Sequence, residues 1–251
     1  MNQPSVGTTL DVQSFINAQP LSRYQWRVVI LCFLIVFLDG LDTAAMGFIA
    51  PALSQDWGID RASLGPVMSA ALIGMVFGAL GSGPLADRFG RKVVLVSAVL
   101  VFGAFSLASA YSSNVDQLLV LRFLTGLGLG AGMPNATTLL SEYTPERHKS
   151  LLVTSMFCGF NLGMAGGGFI SAKLIPAFGW HSLLLIGGIL PLILAVVLLV
   201  WLPESARYLV VRNRGTDKVR KTLSPIEPTI VAQASSFSVP EQQTVKARNV
   251  F

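Results

Sequence analysis

Four stretches of this sequence, Ser63–Ala86, Val93–Val115, Ser150–Ala172 and Ser182–Pro203, contain no aspartate, glutamate, lysine or arginine. Crossing about 30 Å of hydrocarbon takes about 20 helical residues, so each stretch is long enough to span a bilayer. Two further apolar runs are interrupted. Trp26–Ala50 carries Asp39 and Asp42, and Gln117–Leu140 carries Arg122. The expected architecture is an all-α membrane protein with six spans at 26–50, 63–86, 93–115, 117–140, 150–173 and 182–203. Residues 1–25 precede them and 204–251 follow. Composition agrees: 52% of the 251 residues are hydrophobic and 12% charged, about half the charge of a soluble domain.

The connectors predict an orientation. Arg23 and Arg27, the loop Asp87–Lys92, the loop with Arg147 and Lys149, and the tail after Pro203 all fall on one side. Of the 18 lysines and arginines, all but Arg61, Lys173 and Arg122 lie there. By the positive-inside rule both ends of the chain are expected in the cytoplasm. The net charge of +5 is therefore topological, and a nucleic-acid partner is not expected. The first 22 residues lack the paired basic and apolar regions of a cleavable signal peptide. Cys32 and Cys158 both sit in apolar runs and read as small buried side chains. The proline-containing tail reads as a flexible linker with a short surface helix. It ends where an apolar residue has just resumed, which predicts a second half beyond it.

Asp39 and Asp42 are the costly residues. A charged side chain at mid-bilayer costs at least about 2.5–3.5 kcal/mol, so such residues face protein or water and pair with one another. At i and i+3 the two acids share one helical face. Counting 1.5 Å per residue, Asp42 lies roughly 12 Å below the outer end of the first span, and Arg122 roughly 8 Å below the same surface. An arginine side chain bridges that difference. Asp39, at roughly 16 Å, is harder to reach. Asp42 is thus the expected partner of Arg122, and Asp39 the freer proton carrier.

Between the second and third spans lies GPLADRFGRKV, Gly83–Val93. Its glycines, Gly83 and Gly90, would permit tight helix ends. Its spacing, G-x-x-x-D-R-x-G-R-K, resembles the signature loop of the major facilitator superfamily. RFLTGLGLG at Arg122–Gly130 resembles that superfamily's fourth-helix motif, and PESARYL at Pro203–Leu209 the segment ending its sixth helix. Within the superfamily, LDGLDTAAMGFIAPAL at Leu38–Leu53 is similar to the first helix of the aromatic acid:proton symporters. The likeness extends from TLDVQSFIN through GLGAGMPNATTLLSEYTPE to NRGTDKVRKTLSPI.

The resemblance implies a twelve-helix transporter of which this chain supplies the N-terminal six, as a 3+3 inverted repeat, with the C-terminal half as missing partner. It implies proton-coupled uptake of aromatic carboxylates such as 4-hydroxybenzoate and protocatechuate across a bacterial inner membrane. No cofactor is expected beyond the proton as coupling ion. Asp39, Asp42 and Arg122 would couple the proton. Gly83, Asp87, Arg88, Gly90, Arg91, Glu142, Arg147, Glu204 and Arg207 would form a cytoplasmic gate. Arg122, Asn135 and Asn161 are candidate substrate contacts, although either asparagine could instead bond a neighbouring helix. The fifth helix lacks the proline-containing glycine motif of the superfamily's antiporters, which favours symport.

Two alternatives stay open: a sugar or other organic-acid symporter, because GLDTA and PESARYL also resemble those proteins, and an aromatic-acid sensor. GLGLGA at Gly126–Ala131 fits a dinucleotide-binding fingerprint but has no preceding strand. Gly126, Gly128, Gly130 and Gly132 read instead as helix packing, as do Gly74 and Gly78, and Gly159, Gly163 and Gly167. An enzyme is not expected. His148 and His181 fall in opposite loops, and no nucleophile–base pair or metal cluster can be assembled.

Overall fold

A computed structural model describes residues 9–239. Among the described residues six helices are long and apolar enough to cross a membrane: α2 (Arg23–Trp57), α3 (Gly65–Phe89), α4 (Arg91–Ser109), α5 (Val115–Tyr143), α6 (Glu146–Phe178) and α7 (His181–Trp201). Before them come β1 (Thr9–Asp11) and α1 (Val12–Ala18). After them come α8 (Ala206–Val211), α9 (Thr216–Leu223), α10 (Pro228–Gln233) and β2 (Ser236–Ser238).

Several spanning helices run past their apolar stretches, and polar side-chain caps start two of them, α2 and α5. The Ser22 side chain accepts from Gln25 N while Gln25 Oε1 accepts from Ser22 N, a capping box that starts α2. The buried Gln25 amide then donates to Tyr143 O at 2.7 Å, joining the start of α2 to the end of α5. Two helices fall short: α7 stops at Trp201 rather than Pro203, and α4 stops at Ser109 rather than running to Val115. Asn114 there takes the N-cap of α5, accepting from Gln117 N at 2.8 Å, so 110–114 becomes a turn.

The helices pair α3 with α5, α2 with α6, α4 with α7, α4 with α5, and α2 with α7. Exchanging α2, α3 and α4 for α5, α6 and α7 maps the first two contacts onto each other. It also interchanges the last two and leaves the α4–α7 pairing unchanged. That is the symmetry of a 3+3 repeat.

Glycines set the closest of these approaches. A Cβ on Gly74 or Gly78 would run into the backbone carbonyls of Phe123 and Leu127, and one on Gly126 or Gly130 into those of Ala71 and Met75. Gly40 and Gly163 do the same for α2 against α6, meeting Phe160 O and Phe37 O. With little hydrophobic drive between helices in lipid, such backbone proximity is what associates them. Gly132 and Gly167, by contrast, have only ordinary van der Waals neighbours.

α2 is the most buried span, and α3 and α6 are the least. Their outer faces present Leu72, Val76, Leu80 and Phe169, as expected of a chain whose solvent is lipid. The cysteines divide: Cys32 is buried, but Cys158 is exposed on α6, because its helix turns the Gly159–Gly163 face inward.

The tail is not the loose linker expected. Val219, Leu223 and Val231 close over Ala206, Tyr208 and Leu209, and share a core with Val12, Phe15 and Ile16 of α1. β1 and β2 pair in parallel, Leu10 opposite Phe237. Both segments lie at the end of the bundle that carries most of the basic residues, the basic end.

Candidate functional site

Within the bundle, Arg122 Nη1 of α5 donates to Asp42 Oδ2 of α2 at 2.9 Å. The two side chains are 1% and 2% exposed. The other Asp42 oxygen accepts from Ser106 of α4 at 2.6 Å. Gly187 of α7 leaves the space beside Asp42 Oδ1 and Ser106 Oγ, where a Cβ would stand 3.4 Å from each. Four helices therefore converge on one carboxylate.

Burying two charges is costly, and good geometry together with extra hydrogen bonds offsets that cost. Here the carboxylate is served on both oxygens, but the guanidinium is not. Arg122 Nε and Nη2 are buried without a hydrogen-bond partner among the described residues. Asp39, one turn before Asp42 and 3% exposed, accepts from Thr43 Oγ1 of its own helix at 3.3 Å. It makes no ion pair with Arg122. The arrangement can hold an arginine by one acid while a second acid stands by with a weak neutral donor.

Sequence spacing points to Asp42 and Arg122 because charges are conspicuous in apolar spans. It does not point to Ser106, since hydroxyls are common in such helices and commonly bond their own backbone. Ser109 does so with Phe105 O at 2.7 Å.

A second charge set lies at the basic end. Asp87 pairs with Arg91 at 2.8 Å, and Arg91 Nε stands 3.6 Å from Glu142 Oε1. Both Glu142 oxygens and Arg91 Nε are buried without a hydrogen-bond partner among the described residues. Glu204 Oε1 accepts from the backbone N–H groups of Lys92 at 3.1 Å and Ser205 at 2.8 Å. It thereby puts negative charge at the positive N-terminal end of α4.

Tyr143 Oη donates to Glu204 O at 2.6 Å, Tyr208 Oη to Arg88 O at 3.1 Å, and Arg212 Nε to Asp87 O at 2.9 Å. These bonds tie the α3–α4 turn to α5 and the tail. Among the described residues Arg88, Arg147 and Arg207 make no ion pair: Arg88 lies over its neighbour Phe89, and Arg147 donates to Gln19 O. The expected nine-residue gate is thus a smaller set of ion pairs plus backbone ties.

Gly90 has φ 105°, and a Cβ there would strike the Glu204 carboxylate. Gly83 ends no helix. It lies inside α3, which continues through Pro84 to Phe89, and a Cβ there would meet open space.

A cleft of about 880 Å³ opens beside this set, with Asp87, Arg91, Thr137, Glu142 and Arg207 among its walls. Asp42 and Arg122 do not line it. The two asparagines do not converge with Arg122. Asn135 Nδ2 donates to Ala131 O of its own helix at 2.8 Å, and Asn161 is exposed on α6. Among the described residues no group of three or more His, Cys, Asp or Glu side chains is placed to hold a metal ion.

The sequence is 88% identical over 249 residues to the 4-hydroxybenzoate transporter PcaK of Pseudomonas putida, covering 99% of this chain and 56% of that protein. It is 66% identical to PcaK of Acinetobacter baylyi, covering 94% of this chain and 52% of that protein. It is 50% identical to the gallate transporter of P. putida, covering 100% and 56%. The chain thus spans about half the length of these curated relatives, all three of which are named as transporters rather than enzymes.

Among solved structures, the proton:xylose symporter XylE bound to 6-bromo-6-deoxy-D-glucose superposes with a TM-score of 0.71 at 22% identity. The match covers 84% of this chain and 51% of that one and shows a common fold. The profile of the Major Facilitator Superfamily matches residues 32–241, and the chain, with six spans arranged as that fold's N-terminal half, belongs to this superfamily.

Proposed function

We propose that this chain is the N-terminal half of a transporter that takes up aromatic acids, 4-hydroxybenzoate and protocatechuate among them, together with protons across a bacterial inner membrane. Both termini lie in the cytoplasm under this reading, because the basic residues cluster at the end that carries them. The observation that carries it is the buried Arg122–Asp42 pair with two guanidinium donors left open. The names of the closely similar relatives supply the substrate class.

The cycle follows from charge balance. With Asp42 ionised, its carboxylate and Ser106 hold Arg122 within the bundle. One proton arriving from outside protonates Asp42, and the arginine loses its counter-ion. A substrate carboxylate then replaces it, matching the planar fork of the guanidinium. Asp39, one turn along the same helix, carries that proton to Asp42. Proton and aromatic acid are thereby bound together, and the two halves rock about the site to release both inside. At the cytoplasmic face, Asp87, Arg91, Glu142 and Glu204 latch the outward-open state and part on switching.

Uptake of labelled 4-hydroxybenzoate into proteoliposomes under an imposed pH gradient tests this. The six-helix chain is run beside a full-length transporter carrying the same half, with and without Asp42→Asn. Gradient-dependent accumulation by the full-length protein, lost in the variant, is the expected result. Undiminished proton-driven uptake by Asp42→Asn would sink the mechanism.

A further inference from the structure

The segment before the first span makes contacts that a loose cytoplasmic end would not. Its strand β1 pairs with β2 at the far end of the tail, and Thr9 Oγ1 and Ser236 Oγ share a hydrogen bond of 2.8 Å. Asp11 Oδ1 accepts from Ser14 N at 2.6 Å and caps α1. Along α1, Val12, Phe15 and Ile16 are buried against tail residues Tyr208, Val219, Leu223 and Val231. Beyond them the segment reaches the bundle. Asn17 Oδ1 accepts from Glu146 N, and Gln19 O accepts from Arg147 Nη2, each at 2.9 Å. Glu146 and Arg147 begin α6, so the segment's second anchor is the α5–α6 connection. The tail's own beginning is fastened elsewhere, to the α3–α4 turn through Tyr208 and Arg212.

We propose that residues 9–19 are a strap that fastens the tail, 204–239, to the α5–α6 connection, so that tail and six-helix bundle move as one body. The tail is then held at two turns, one in each three-helix repeat, and bridges them. None of the strap's anchors is an ion pair, whereas the neighbouring Asp87–Arg91–Glu142 set is ionic. The strap therefore stays shut when that set rearranges. A tail fixed in this way transmits the tilt of the bundle to whatever follows it without slack.

Hydrogen exchange on the chain in detergent tests the strap directly. Phe15→Asp removes its apolar anchor, and Asn17→Ala with Arg147→Gln removes the bundle anchor. Each is expected to speed amide exchange in 216–223 and 231–238 at least tenfold while α2–α7 keep their protection. Unchanged exchange in those segments would overturn the proposal, as would equal loss throughout the bundle, which would make the segment a general folding element.

Whether the strap stays shut during transport rests on the uptake reading above. Thr9→Cys with Ser236→Cys, in a Cys158→Ser full-length transporter, puts thiols where the two hydroxyls meet. Oxidation is expected to leave uptake within twofold of the reduced protein. A tenfold fall restored by reductant would show that the strap must open, and would overturn the one-body proposal. If the reduced protein takes up nothing, the transport reading fails, and the exchange result still decides the strap.

Discussion

Asp42 of α2 holds Arg122 of α5 at 2.9 Å, with each side chain all but sealed from solvent. The bond crosses between the two three-helix repeats and joins helices that the pseudo-symmetry makes equivalent. Removing one partner strands the other as an unpaired buried charge, which costs about 3–5 kcal/mol. Removing both leaves no charge to strand. Asp42→Leu and Arg122→Met are each expected to lower the unfolding temperature in detergent by well over the experimental scatter, and the double variant to recover most of it. Double-variant stability no better than the worse single would show that the pair is not the relevant interaction. Under the proposed mechanism a full-length transporter needs the charges themselves, and its uptake is expected to fail in all three.

Ser106 donates to the other Asp42 oxygen at 2.6 Å. A hydrogen bond to a charged group contributes about 1.5–3 kcal/mol. Ser106→Ala is therefore expected to destabilise by an amount at the lower end of that range, since the carboxylate keeps Arg122. Ser106→Thr, which retains the hydroxyl, is expected to stay near the original protein. Thermal unfolding of the three proteins side by side checks this; an Ala variant as stable as the original would mean the hydroxyl contributes nothing.

How much of this was legible depends on how rare each signal is. Charges in apolar spans are rare, so Asp42 and Arg122 stood out, and the depth count alone matched them. Ser106 carried no such mark: one hydroxyl among several in the third span, distinguished only by the helix it faces. The apolar run Val93–Val115 is longer than α4 because nothing charged marks Asn114 as a cap. The tail departs from its linker-like sequence for a different reason. Val219, Leu223 and Val231 are too few to form a core by themselves, and their partners Val12, Phe15 and Ile16 lie at the opposite end of the chain. Local pattern carries no information about such a pairing. The neighbourhood of Gly83 suggests a helix end, yet α3 runs through it.

The α3–α5 seam gives a steric prediction. Gly78 and Gly126 each face a backbone carbonyl of the opposite helix, and backbone cannot move aside as a side chain can. Gly78→Leu or Gly126→Leu should part the helices and cost at least the 1–3 kcal/mol or so typical of overpacking. Gly81, three residues from Gly78 on the same helix, has open space where its Cβ would be. Gly81→Ala is the control and should be neutral or slightly stabilising, since alanine favours helix. Detergent-resistant fold content, read by size-exclusion profile and unfolding temperature, separates the two. Equal tolerance at positions 78 and 81 would refute the close approach.

Gly90 is constrained twice. Its φ of 105° with ψ of 153° lies where residues with a Cβ rarely go, and holding a non-glycine there costs about 1–3 kcal/mol. A Cβ would also push the Glu204 carboxylate off the first turn of α4, where it accepts from Lys92 N. Gly90→Ala should therefore lose two things, backbone ease and a charged cap, whereas Glu204→Gln should lose only the charge and keep an acceptor oxygen. The expected order of stability is the original protein, then Glu204→Gln, then Gly90→Ala. Because the lost cap is common to both changes, the double variant should be less destabilised than the two single effects added together. Strict additivity would mean that Gly90 and Glu204 act separately, and that the contact between the α3–α4 turn and the start of the tail is not what the glycine is there to permit.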